Sequence, residues 1–151
     1  MKNKVLIILK PDCLKRELEN EFISSIIATG LFIDSMKTMN LDDYLLNIVY
    51  QDVIQECFYE DLSIFMKSGP CVILLISGVD AIVTMNKLKH ELRAKYRESW
   101  IDLTNYDLKL WQTGCHPNQR TLNIKLVAAN LIHVCDSEEL SMRCAKLLFN
   151  T

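Results

Sequence analysis

Val5-Leu6-Ile7-Ile8-Leu9-Lys10-Pro11-Asp12 decides how the chain begins to fold. The unbroken apolar run predicts a short buried strand over Lys4 to Lys10. Pro11 has no amide to give a sheet ladder and stops it. Asp12 is then placed to cap a helix. Leu14, Leu18, Phe22, Ile26 and Ile27 fall on one face of that helix. Gly30 suits the position just past its end.

Working outward, Leu31 to Met39 reads as a second strand. Asn40 can cap a segment in which Leu41, Tyr44, Leu45 and Ile48 keep helical spacing. A further helix is predicted over 52–67, with Ile54, Cys57, Phe58, Leu62, Phe65 and Met66 as its apolar set. Gly69-Pro70 breaks it, and Cys71 to Ser77 is the clearest buried strand. Asp80 is placed to cap the next helix, on Ala81, Met85, Leu88 and Leu92. Leu122 to Val127 is ambiguous. Leu131 to Val134 reads as a last strand. Asp136 and Glu139 make a capping box for a closing helix over 137–148.

This order of elements predicts an α+β fold: a ferredoxin-like βαββαβ sandwich. Its four-stranded sheet would be mostly antiparallel, with helices packed on one face. We read residues 1–151 as a single domain, with an expanded loop at about 94–119. That loop loses periodicity and holds both tryptophans, Trp100 and Trp111, so it is expected to pack on something.

Composition narrows the function. Half of the 151 residues are hydrophobic, which points to a second buried surface such as an oligomer contact. The net charge of -2 gives no general case for nucleic acid or a membrane surface. No apolar run approaches the roughly 20 residues of a membrane span, and no signal peptide is evident, so a cytoplasmic location is expected. The four glycines are too dispersed for either glycine-loop phosphate cradle. The six cysteines include no C-x-x-C pair and are read as free thiols. Cys115-His116 lacks a second ligand pair and reads as plain loop.

Of the three histidines, His90 is read as surface and His116 as loop. His133 ends the last strand, three residues before the closing helix. The positive end of that helix dipole favours neutral imidazole, the nucleophilic form, and suits an arriving anion. By position alone His133 fits a structural or a chemical role.

The neighbours add a resemblance. Asn130-Leu131-Ile132-His133 with Asp136-Ser137-Glu138 resembles the active-histidine segment of the nucleoside diphosphate kinases. The opening strand with Lys10-Pro11-Asp12 resembles theirs, and Phe65-Met66-Lys67-Ser68-Gly69-Pro70 resembles the approach to their central strand. Tyr50, Phe58 and Arg120 fall at matching distances. The resemblance covers nearly the whole chain.

It implies a transferase that moves the γ-phosphate of a nucleoside triphosphate to a nucleoside diphosphate, ping-pong, through a phosphohistidine at His133. Lys10 and Arg120 would neutralise developing phosphate charge. Tyr50 would orient the transferred group and help hold His133. Asn130 would bond sugar or phosphate oxygens. Phe58 would stack on any base, although its spacing with Ile54 and Leu62 fits core burial equally. Val127 would pack on the base's other side. Mg²⁺ would arrive with ATP or another nucleoside triphosphate, held mostly by phosphate oxygens, with no dedicated protein metal site. The partners implied are nucleoside di- and triphosphates and further copies of the chain, with no membrane and no specific nucleic acid.

The chain also departs from the pattern. Val134 and Cys135 replace a glycine and a serine. Cys144 stands where a glutamate orients the histidine. Asn86 replaces a phosphate-binding arginine, with Lys87 beside it as the substitute. Leu92 replaces a phosphate-binding threonine, and Ala128 and Ala129 replace a glycine and a basic residue. Asn86 to Arg120 spans 34 positions, about twice the usual family connection, through a region of oligomer contact. An altered oligomer interface or pocket rim is therefore expected. The alternative function is a nucleotide-binding or partner-binding domain of this fold with weak or no transfer.

Overall fold

The computed structural model describes residues 1–96 and 129–149. The elements are β1 (Lys2–Leu9), α1 (Pro11–Lys15), α2 (Glu19–Ala28), β2 (Phe32–Met39), α3 (Asp43–Val49), a 3-10 turn (Gln51–Val53), α4 (Tyr59–Met66), β3 (Cys71–Val79), α5 (Ala81–Tyr96), β4 (Ile132–Val134) and α6 (Glu138–Phe149). The sheet runs β2-β3-β1-β4 and every pairing is antiparallel. This is the ferredoxin-like sandwich that the element order predicts. The 94–119 loop lies outside the described residues from residue 97 on, as does the ambiguous stretch Leu122 to Val127.

Helices cover both faces of the sheet, not one. Leu6, Ile8, Ile73 and Leu75 pack with Leu45, Leu46 and Leu62 of α3 and α4 and with Cys144 and Leu148 of α6. Val5, Ile7, Leu9, Leu74 and Ile76 pack with Cys13, Phe22, Ile26, Met85 and Leu92 of α1, α2 and α5. The physical reason is visible in β1 and β3. Both are continuous apolar runs, the pattern of strands buried on two sides.

Local details differ from the sequence reading where side chains find better partners. The first helix is two, because Glu17 takes a left-handed φ of 57° between them. Asp12 is not the N-cap: it lies inside α1, and its Oδ2 accepts the Leu131 amide. Asp42, not Asn40, caps α3 by accepting the Leu45 amide. The 52–67 helix shrinks to a 3-10 turn and α4, with turns between. Cys57 in that stretch is disulfide-bonded, which corrects the all-thiol reading, while Cys13, Cys71, Cys135 and Cys144 are free and buried. At the start of α5 the Ile82 amide is taken by Asn3 Oδ1, and Asp80 sits in the left-handed region instead. Ser137, not Asp136, caps α6 through the Leu140 amide.

Ser141 ties α6 to the sheet. Its buried Oγ accepts the Leu6 amide at 2.9 Å and donates to the Ser137 carbonyl. Ser141→Ala leaves that buried amide unpaired, and we expect a loss of about 2 kcal/mol. A thermal melt should show a drop of roughly 4–8 °C; an unchanged midpoint would show that the bond contributes nothing net.

Candidate active site

The site begins where β1 stops. Pro11 starts α1 and turns the chain, which leaves Lys10 at the sheet's end with 2 % of its surface exposed. The Lys10 amide donates to Leu131 O at 2.9 Å. Its Nζ donates to Asn130 Oδ1 at 2.5 Å. With the Asp12 bond, the lysine-proline-aspartate corner is thus fastened to the segment that leads into β4.

That segment is bent. Leu131 has φ 76°, and the Ile132 amide donates back to Asn130 O at 2.9 Å, closing a γ-turn. A non-glycine residue in that region costs about 1–3 kcal/mol. Arg93 of α5 spans the turn: Nε donates to Asn130 O at 3.1 Å and Nη2 to Ile132 O at 2.5 Å. β4 then pairs His133 opposite Ile8.

The His133 ring is partly buried. Tyr50 lies against it, with centroids 4.7 Å apart and planes at 50°. The Tyr50 hydroxyl is spent on Met66 Sδ at 3.9 Å, so its ring is what meets the histidine. Cys135 Sγ lies 3.9 Å from His133 Nε2. Behind it Cys144, at the position where the resemblance implies a glutamate, hydrogen-bonds to Cys135. A cleft of about 200 Å³ opens in front, lined by Val49, Tyr50, Val53, Phe58, Leu62 and His133 and by two carboxylates, Asp52 and Asp136.

Charge dictates protonation here. Burial holds the His133 pKa well below its usual 6.5, and Lys10, Arg93 and Lys89 push it further in the same direction. These causes keep the imidazole neutral. Burial, reinforced by Arg93, pulls the Lys10 ammonium down to about 7 against the opposing pull of Asp12.

Four of the sequence-predicted residues therefore meet: Lys10, Tyr50, Asn130 and His133. Phe58 lines the cleft and also packs against the core. Lys87 is exposed on α5, whereas Lys89 is partly buried and reaches Asn86 Oδ1 at 3.1 Å. Asn86 bonds back to Ile82 O, and Leu92 is core. Arg120 and Val127 lie outside the described residues. The sequence reading missed Arg93 and Lys89 as site residues. The signal was present: 86, 89 and 93 share one helical face.

The nucleoside diphosphate kinase family model matches residues 3–100. A nucleoside diphosphate kinase of Metallosphaera sedula is 29% identical over 147 residues, covering 97% of this chain and 93% of that protein. One of Methanocaldococcus jannaschii is 29% identical over 150 residues, covering 99% and 94%. The Aquifex aeolicus enzyme structure superposes with a TM-score of 0.70 at 23% identity, covering 99% of this chain and 96% of that one. That of Halobacterium salinarum, in complex with CDP, gives 0.69 at 21% identity, covering 100% and 90%. With its fold, its lysine-proline-aspartate corner and its histidine segment alike, the chain belongs to the nucleoside diphosphate kinase family of phosphotransferases.

Proposed function

We propose that the chain transfers the γ-phosphate of a nucleoside triphosphate to a nucleoside diphosphate through a phosphohistidine at His133. The observation that carries the reading is a neutral imidazole beside a cleft, flanked by cations that favour phosphate. Cys135 faces Nε2, which leaves Nδ1 to attack. Its lone pair forms the N–P bond as the bond from the γ-phosphorus to the β–γ bridging oxygen breaks, and the diphosphate leaves with that oxygen. The reverse sequence loads the acceptor. Lys10 stabilises the charge that builds on the transferring oxygens. Phe58 offers a stacking face to the base, and Arg120 and Val127 are assigned to phosphate and base by the resemblance alone.

Mg²⁺ suits this site as a passenger on the nucleotide. Among the described residues no group of three His, Cys, Asp or Glu could hold a metal. Asp52 and Asp136 give the cleft the oxygen donors Mg²⁺ accepts, beside phosphate oxygens and water. When bound it neutralises phosphate charge.

The cytoplasm remains the proposed location; among the described residues no helix is long and apolar enough to cross a membrane. Exposed Phe32 and Met36 on edge strand β2 support the expectation of a homo-oligomer.

One observation favours a second reading, a nucleotide-binding domain without transfer. Asn86 and Leu92 offer no phosphate contact in place of the arginine and threonine. Incubation with γ-labelled ATP and Mg²⁺ separates the two. We expect acid-labile, alkali-stable label on His133 that moves to added GDP. Thermal stabilisation by nucleotide without label would establish the second reading instead.

A further inference from the structure

We propose that Arg93 is a positioning residue for the transfer: its guanidinium clamps the two carbonyls on either side of Leu131 and so fixes the strained turn that delivers Asn130 and His133. The inference rests on the proposed phosphate-carrying role of His133.

The geometry requires such a clamp. A γ-turn with leucine at φ 76° relaxes unless its surroundings hold it. Two restraints come from the corner between β1 and α1, the Lys10 amide on Leu131 O and Asp12 Oδ2 on the Leu131 amide. Both grip Leu131 itself. Arg93 grips its neighbours, Asn130 O and Ile132 O, and does so from α5. Only a planar fork reaches two carbonyls from adjacent nitrogens, so lysine could hold one but not both. Asn130 in turn positions the Lys10 ammonium, and Ile132 precedes the nucleophile. Loss of the clamp would therefore displace both partners of the transferring phosphate. A misplacement of about 1 Å at a reacting group costs on the order of 100-fold in rate.

Arg93 has an electrostatic side as well. The groups facing the imidazole are Lys10 from β1, Lys89 and Arg93 from α5, Tyr50 after α3, and Cys135 beyond β4, with Asp136 in the same cleft. Removing one of three cations lets His133 take a proton at higher pH. A purely structural side chain would not move that titration.

The test compares full-length wild type, Arg93→Leu and Arg93→Lys, each checked for a native circular dichroism spectrum. In Arg93→Leu we expect kcat for phosphate exchange to fall about 100-fold with KM little changed, and the acid limb of the kcat/KM profile to move to higher pH. Arg93→Lys should keep the acid limb but recover only part of kcat. Wild-type kcat in folded Arg93→Leu, or a loss confined to KM, overturns the inference. If the leucine variant does not fold, the lysine variant decides: a wild-type kcat there overturns it. If wild type itself transfers no phosphate, the functional reading fails, and amide exchange at Ile132 still tests the clamp. It should quicken in both variants, and unchanged exchange overturns the clamp.

Discussion

His133→Asn is expected to take no label from γ-labelled ATP and to lose phosphate exchange by about 10⁴-fold or more, while still binding nucleotide. The size follows from the chemistry: the asparagine amide is not a nucleophile that can carry the phosphate, and positioning alone cannot replace a covalent carrier. Asparagine keeps a polar group of similar reach, so the fold should survive. The lost Tyr50 contact costs roughly 0.5–1.5 kcal/mol. The variant also reports on protonation. The unfolded chain gains a proton on His133 near pH 6.5, whereas the native ring refuses it until well below that. Wild-type stability therefore falls as pH drops through 6.5, and His133→Asn should lack that part of the slope. Urea titrations at pH 7 and pH 5 measure it; equal slopes in both proteins would mean that the native ring titrates normally. Retained label on the variant would place the phosphate elsewhere and sink the mechanism.

What the sequence disclosed was governed by how local the signal was. β1 and β3 were legible because a continuous apolar run has one comfortable home, a strand covered on both faces. The same runs already implied helices on two faces, which the one-face expectation overlooked. Capping residues were misplaced at four helices, because several short polar side chains can reach the amides at a helix start. The choice among them depends on which side chain a neighbour has already taken. Asp12 is the clear case: its carboxylate looks like a cap locally but is drawn to Leu131, far along the chain. His133 stood out by its place between the last strand and the closing helix, whereas Lys10, Tyr50 and Asn130 were found through the resemblance, since no local pattern links a lysine just after the first strand to an asparagine near the last. Arg93 was missed for the opposite reason. The resemblance directs attention to 86 and 92, where the side chains are now an inward-bonded amide and a core leucine. The cation that serves the site had moved along the helix.

Lys10→Met should lower kcat/KM for exchange by about 10²–10³-fold at neutral pH, as expected on removing one preorganised donor from a developing anion. Methionine nearly matches lysine in volume, so the change removes charge more than packing. The direction of the lysine's own pKa adds a second signature. In the nucleotide-free protein burial and Arg93 bring it to about 7, so a large fraction of Lys10 is uncharged above neutrality. A phosphate arriving beside it favours the ammonium and raises that pKa again. Nucleotide binding must therefore take up a proton at pH 8 and almost none at pH 5.5, where the lysine is already charged. The kcat/KM profile should fall above about pH 7 for the same reason. Calorimetry in two buffers of different ionisation enthalpy counts the proton directly. Lys10→Met should show neither the uptake nor the alkaline limb, and Lys10→Arg, charged at every working pH, should lose the limb while keeping part of the rate. An alkaline limb that persists in Lys10→Met would assign it to another group, and equal exchange rates in wild type and Lys10→Met would remove Lys10 from the transfer altogether.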